Sequence, residues 1–241
     1  MTKTQPVLLP TAAALTLLLL NACSVNVTFG ERPLSPGTDW VANSSGWVDE
    51  ANQVFEAATD YVLEASDGRP AGSWAVVLDL DETVLNNVQY QVMLENDGKS
   101  YTPENWYQWT QEENATLVPG ALWFINAVNS AGGHVAFVTN RRDREQLATE
   151  NNLAKLGVVR GQDFRVLLTR ASPQAPGGKD DRFSVVPELL AVQGYPEVTV
   201  VAYVGDSVGD QPSNPGEARF FCIDQGAMYG EPCAKVPGPG I

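Results

Sequence analysis

A doubly wound parallel α/β sheet, carrying a small inserted cap and preceded by a helix, is the fold that this 241-residue chain predicts. Three observations predict it. Apolar, β-prone runs recur at residues 74–80, 134–138, 164–168, 198–204 and 218–222. Stretches of helical periodicity lie between most of them, the alternation that parallel strands need because each crossover takes a dozen or more residues. Two of the runs end in acids, Asp79 with Asp81 and Asp206 with Asp210, at the strand end where open α/β sheets form their ligand crevice. Finally, the interval 83–119 is longer than a crossover requires, which marks it as an insert.

The elements follow in chain order. Residues 1–22 read as an export signal: Lys3 supplies a minimal positive start and residues 12–20 an apolar stretch too short to span a bilayer. The signal runs into Leu20-Asn21-Ala22-Cys23, which resembles the bacterial lipobox. That resemblance implies acylation of Cys23 and an exported chain anchored to the membrane, the outer membrane where the organism has one. Residues 23–40, with Gly30, Pro33, Pro36 and Gly37, then predict a lipid-bearing tether ahead of a domain at 41–235. Trp47, Ala51, Phe55, Ala58 and Val62 recur at helical spacing and place an amphipathic helix before the first strand. The insert, about residues 84–118, carries Tyr90, Tyr101, Trp106, Tyr107 and Trp109; such rings either stack on a substrate, with Tyr90 and Trp106 the candidates, or form the insert's own small core. Helices are predicted at 120–130, 144–156 and 182–193, and a disordered Pro/Gly-rich tail at 236–241.

Chemistry concentrates at the strand ends. In Leu78-Asp79-Leu80-Asp81-Glu82-Thr83 two carboxylates emerge together and need a cation. The reaction that uses such a pair is phosphoryl transfer to an aspartate: one carboxylate attacks phosphorus, while the other protonates the leaving alcohol and then activates water. Thr139 and Asn140 end the second strand with phosphate-binding groups, Lys179 precedes a helix where it can neutralise phosphate or nucleophile, and Asp206 and Asp210 end the fourth strand. The donors are hard oxygens with no soft partner, which suits Mg²⁺ and disfavours Zn²⁺.

These motifs, in this order, resemble the four motifs of the haloacid dehalogenase (HAD) superfamily. The wider text, residues 78–87, 137–141, 203–206 and Ala227-Met228-Tyr229-Gly230, resembles the class C bacterial acid phosphatases of the lipoprotein e type. The resemblance implies that Asp79 is the nucleophile and Asp81 the acid and base, and that Thr139 and Lys179 bind phosphate. It implies Mg²⁺ held by Asp79, the Asp81 backbone carbonyl and Asp206, with Asp210 acting through a water. Small phosphomonoesters, 5′-nucleotides among them, are the implied substrates. Departures are a Thr at 139, where a Ser is usual, and Ser-Val-Gly between Asp206 and Asp210, where adjacent acids are usual near the motif's end.

Composition narrows the alternatives. A net charge of −14 argues against a nucleic-acid polymer as partner, and it obliges Arg141, Arg142, Lys179 and Arg182 to make the site locally attractive to phosphate. One histidine, His134, excludes two-histidine phosphatases and multi-histidine zinc sites, and reads as a structural edge residue. Cys222 and Cys233, in an exported chain, predict a disulfide over two free thiols. The sequence leaves open the oligomeric state, with a dimer one option, a phosphotransferase in place of a hydrolase, and a noncatalytic binding module on the same fold.

Overall fold

The computed structural model describes residue 1, residues 33–172 and residues 177–230. The signal, Cys23, Cys233 and the 236–241 tail lie outside the described residues; Cys222 itself is disulfide-bonded. Among the described residues no helix is long and apolar enough to cross a membrane.

The chain enters through α1 (Pro36–Asn43) and α2 (Ser45–Ala65). Here the structure departs from the expectation of a tether to residue 40: Ser35 caps the helix through its side chain, Pro36 supplies a preset φ at its start and Asp39 sits in the first turn. The same Pro-Gly pair that suggested a flexible segment therefore starts a helix.

Five parallel strands follow: β1 (Trp74–Leu78), β4 (His134–Arg142), β5 (Val166–Arg170), β6 (Thr199–Gly205) and β7 (Arg219–Cys222), in the spatial order β5-β4-β1-β6-β7. The chain moves outward from β1 through β4 to β5, then returns to the other side of β1 for β6 and β7. β1 is thus the switch point, and the crevice opens beyond the carboxyl ends of β1, β4 and β6. Side-chain alternation along the central strand builds two cores. Trp74, Val76 and Leu78 join the core that includes Phe55 of α2 and Phe124 of α5 (Ala121–Ser130), whose rings pack 5.5 Å apart. Ala75 and Val77 join Phe183 of α7 (Asp180–Ser184) and Val186 and Leu190 of α8 (Val186–Val192). The single helix expected at 182–193 is two helices, because the chain turns at Val185 and α8 starts anew with a proline in its first turn. α6 (Gln146–Lys155) carries the crossover between β4 and β5.

Between β1 and α5 the chain makes its excursion. A two-stranded antiparallel stem, β2 (Leu85–Asn86) against β3 (Thr116–Leu117), closes it, and α3 (Val88–Asp97) and α4 (Pro103–Glu112) fill it. Arg144, in the 3₁₀ turn after β4, ties this cap to the sheet domain: its guanidinium lies 4.2 Å from the Tyr107 ring centroid and donates to the Pro103 carbonyl at 3.0 Å.

Candidate active site

Asp79 is the first residue beyond β1, and its backbone N–H still extends the sheet by donating to Val204 O at 2.9 Å. That bond fixes the carboxylate at the switch point, where it is 7% exposed. Lys179, the N-cap of α7, arrives from the other side of the crevice, and its ammonium donates to Asp79 Oδ1 and, at 2.6 Å, to Asp210 Oδ1. Asp79, Asp206 and Asp210 are all buried, each offering a carboxylate oxygen within 4.8 Å of the others. Asp210 folds back against the end of β6, accepting from the backbone N–H of Ser207 at 2.9 Å and of Asp206 at 3.2 Å. Only glycine permits this at position 205, since a Cβ there would lie 2.1 Å from Asp210 Cβ. The four-residue spacing in Gly205-Asp206…Asp210 is thus the length of one tight loop that turns both acids inward.

Three carboxylates and one ammonium leave the cluster two negative charges in excess. Burial pushes the Asp79 carboxyl up to about 7 against the pull of Lys179, with Asp210 and Asp81 pushing the same way. Asp206 is raised well above the usual carboxylate range by burial and by Asp210 and Asp79. An oxygen-only cluster with this surplus charge fits a hard divalent cation, whose presence would restore the ionised forms.

Asp81 stands apart from that cluster. Its carboxylate meets Arg141 in a two-pronged ion pair, Nη2 to Oδ1 at 2.7 Å and Nε to Oδ2 at 3.2 Å, and Asn87 Nδ2 adds a third donor at 2.9 Å. Arg141 is 2% exposed and its other contacts are satisfied by Thr149 Oγ1 at 3.0 Å and Asn87 Oδ1 at 3.3 Å. Asn87 in turn accepts from Trp109 Nε1 of the cap at 2.9 Å. Glu82, in the left-handed region with φ 57°, is buried beneath this network, holds the Asn87 N–H at 2.7 Å and is pushed far up by its burial and by Asp81.

The remaining candidates are placed less uniformly. Thr139 is fully buried, its hydroxyl accepting from Arg141 N at 3.1 Å. Asn140 is exposed at the cavity edge, its amide oxygen accepting from Arg182 Nη2 at 2.6 Å, while Arg182 Nη1 donates to the Thr139 carbonyl. Tyr90 and Trp106 both line the cavity and pack edge-on at 5.1 Å, so the two readings of the cap rings merge. Tyr90, 2% exposed and bonded to Asn105 Oδ1 at 2.6 Å, belongs mainly to the cap's core; Trp106 is only partly buried.

A cavity of about 580 Å³ joins these parts, lined by Asp79, Asp81, Lys179 and Asp206 at its floor and by Tyr90, Tyr101 and Trp106 on the cap side. Sequence reasoning missed its other wall, Tyr229 and Gly230, and missed that Arg141 serves Asp81 instead of attracting phosphate directly. Tyr229 had a signal, the Ala-Met-Tyr-Gly text already noted; the 60-residue separation of Arg141 from Asp81 offered none.

Comparison with solved structures gives the class C acid phosphatase from Bacillus anthracis at TM-score 0.66 and 24% identity, covering 80% of this chain and 84% of that one. Its tungstate-bound form matches at TM-score 0.65 and 23% identity. These show the shared fold. Among curated proteins, the stem 28 kDa and 31 kDa glycoproteins of Glycine max are each 27% identical over 154 and 146 residues, or 64% and 60% of this chain. The aligned regions span 59% and 48% of those relatives' own lengths. The family model for HAD superfamily, subfamily IIIB (acid phosphatase) matches residues 26–232, nearly the whole chain, and with the acids of its motifs gathered at one crevice this protein belongs to that family.

Proposed function

We propose that the protein hydrolyses small phosphomonoesters through an aspartyl phosphate on Asp79. The observation that carries this reading is the buried group Asp79, Lys179, Asp206 and Asp210 at the carboxyl ends of β1 and β6, under a cap. Asp79 attacks phosphorus as its ester bond to the leaving alcohol breaks. Asp81, two residues on at the same strand end, gives the departing oxygen its proton and later takes one from the water that hydrolyses the acyl phosphate. Arg141 and Asn87 keep the Asp81 carboxyl aimed for both steps. Lys179 neutralises phosphate oxygens, with Thr139 and Asn140 contributing at the end of β4.

Asp79, Asp206 and the Asp81 backbone carbonyl would hold Mg²⁺, with Asp210 reaching it through a water. When bound, the cation supplies charge neutralisation between carboxylate and phosphate. Asp210, engaged on one oxygen by Lys179 and on the other by two amides, holds that lysine and the Asp206 loop in position. Nucleoside 5′-monophosphates fit the substrate class because the cavity pairs a floor that carries Asp79 and Lys179, the proposed phosphoryl site, with aromatic walls. Acylation at Cys23 would place the activity at the membrane surface.

Steady-state assays of the purified chain on a phosphomonoester panel test the reading, with Mg²⁺ and after chelation. Turnover that needs Mg²⁺ and is silenced by EDTA is expected; full activity after exhaustive chelation contradicts the mechanism.

A further inference from the structure

Helix α1 contacts both walls of the cavity. On the cap side, Glu95 of α3 receives three hydrogen bonds from the start of α1: Ser35 N–H to Oε2 at 2.7 Å, Ser35 Oγ to Oε1 at 2.7 Å and Thr38 Oγ1 to Oε1 at 2.6 Å. These donors hold the Glu95 carboxyl below the usual range although burial opposes them. Tyr90 and Gln91, one turn earlier on α3, line the cavity.

On the opposite wall, α1 lies with its backbone against the turn at residues 225–229. A Cβ at Gly37 would sit 2.6 Å from Gly226 O and from Met228 N, so the helix approaches as closely as two backbones can. The Trp40 indole covers Gly226, whose φ of 64° and lack of side chain make room for it: a Cβ there would meet Trp40 Cδ1 at 2.7 Å. Gln225, 1% exposed, closes the turn by pairing its amide with both backbone groups of Tyr229, accepting from the N–H at 2.9 Å and donating to the carbonyl. Tyr229 and Gly230 emerge from that turn into the cavity wall, with the Tyr229 hydroxyl buried and unpartnered among the described residues.

From this arrangement we infer that α1 is a brace fixing the distance between the cap wall and the Tyr229 wall, which makes Glu95 and Gly37 positioning residues for the organic portion of the substrate and leaves the phosphoryl site untouched. The inference rests on the phosphatase reading and adds a determinant outside the four motifs. It also means that the last part of the predicted membrane tether, from Ser35 on, belongs to the architecture that shapes the substrate cavity.

The test compares KM for a nucleoside 5′-monophosphate, KM for glycerol phosphate and inhibition by inorganic phosphate in the full chain and in Glu95→Ala, Glu95→Gln and Gly37→Ala. The brace predicts that Glu95→Ala and Gly37→Ala raise the nucleotide KM about five- to tenfold, part of the value of one stacked ring. The glycerol phosphate KM and the phosphate inhibition constant stay within about twofold, and Glu95→Gln, which keeps one acceptor, recovers part of the loss. Should Gly37→Ala not fold, the Glu95 pair decides alone, since Glu95 lies at the surface of the cap and its loss empties no core. Equal increases on both esters, or none on either, overturn the brace while the phosphatase reading stands. A wild-type chain inert on both esters overturns the phosphatase reading and the brace with it.

Discussion

At the scale of single residues, the site separates two carboxylates two positions apart into different environments: Asp79 faces an ammonium and two acids, Asp81 faces a guanidinium and an amide. Asp79→Asn keeps the shape and removes the proposed nucleophile, so kcat should fall by more than about 10⁴-fold with the fold retained, checked by turnover and circular dichroism. Activity within tenfold of wild type would sink the assignment. Arg141→Lys keeps a charge but loses the two-pronged grip on Asp81. We expect kcat to fall about 10- to 100-fold on alkyl esters and far less on 4-nitrophenyl phosphate, whose leaving group needs no proton. Equal losses on both would make Arg141 a purely structural ion pair. His134 offers a separate pH test. Its ring packs 4.1 Å from Tyr195, and burial and the Arg165 guanidinium hold its pKa below the usual value. The unfolded chain therefore binds the proton first, so this contribution to stability is complete above about pH 6.5 and is lost as pH falls toward the lower folded value. His134→Phe should flatten that acid limb in thermal melts; an unchanged slope would remove His134 as its source. The acids at 79, 81, 206 and 210 were legible in the sequence because strand-end position and short spacing are local. Arg141, Thr149 and Asn87 were not legible as a network, since only the folded β4, α6 and cap stem bring them to Asp81.

At the scale of elements, hydrophobic runs gave the five strands and the long interval gave the cap, while helix boundaries moved where capping chemistry outweighed composition. Ser35 and Pro36 turned the end of an expected tether into α1, and the proline after Val186 divided the last crossover helix. The cap rings show why burial must be known before a ring is assigned to substrate. Tyr90 packs against Trp106 at 5.1 Å and Trp109 at 6.0 Å, so Tyr90→Ala opens a core and should cost about 3–5 kcal/mol of stability. Trp106 also lies 5.6 Å from the Arg141 guanidinium, at the cavity. Trp106→Ala should raise KM for a nucleoside monophosphate more than tenfold, consistent with about 1–3 kcal/mol per stacked base, and leave glycerol phosphate within about threefold. A melt and a two-substrate assay on both variants distinguish the roles; if Trp106→Ala lowers the melting temperature as much as Tyr90→Ala and affects both esters equally, the cap rings are core alone.

For the whole molecule, the decisive quantity is charge. The chain carries −14 overall and keeps three of its acids buried within 4.8 Å of one another, an arrangement that burial and mutual repulsion oppose. A cation that binds this cluster in the folded state and not in the unfolded chain must stabilise the fold by mass action, about 2.7 kcal/mol at a hundredfold excess over its dissociation constant. In a domain of this size that corresponds to a melting temperature higher by roughly 5–10 °C. Mg²⁺ should produce that rise, EDTA should reverse it, and Ca²⁺, larger and content with looser coordination, should stabilise without supporting turnover. Asp206→Asn removes a proposed ligand at the end of β6 and leaves the partners of Lys179, Asp79 and Asp210, in place, so it should abolish the Mg²⁺-dependent rise while melting near the metal-free wild type, because burial and the neighbouring acids already push the Asp206 carboxyl toward its neutral form. A variant that still gains the full increment would show that Mg²⁺ acts elsewhere on the acidic surface. An increment lost together with activity would tie the buried charge excess at the switch point of the sheet to the cation that the proposed chemistry needs.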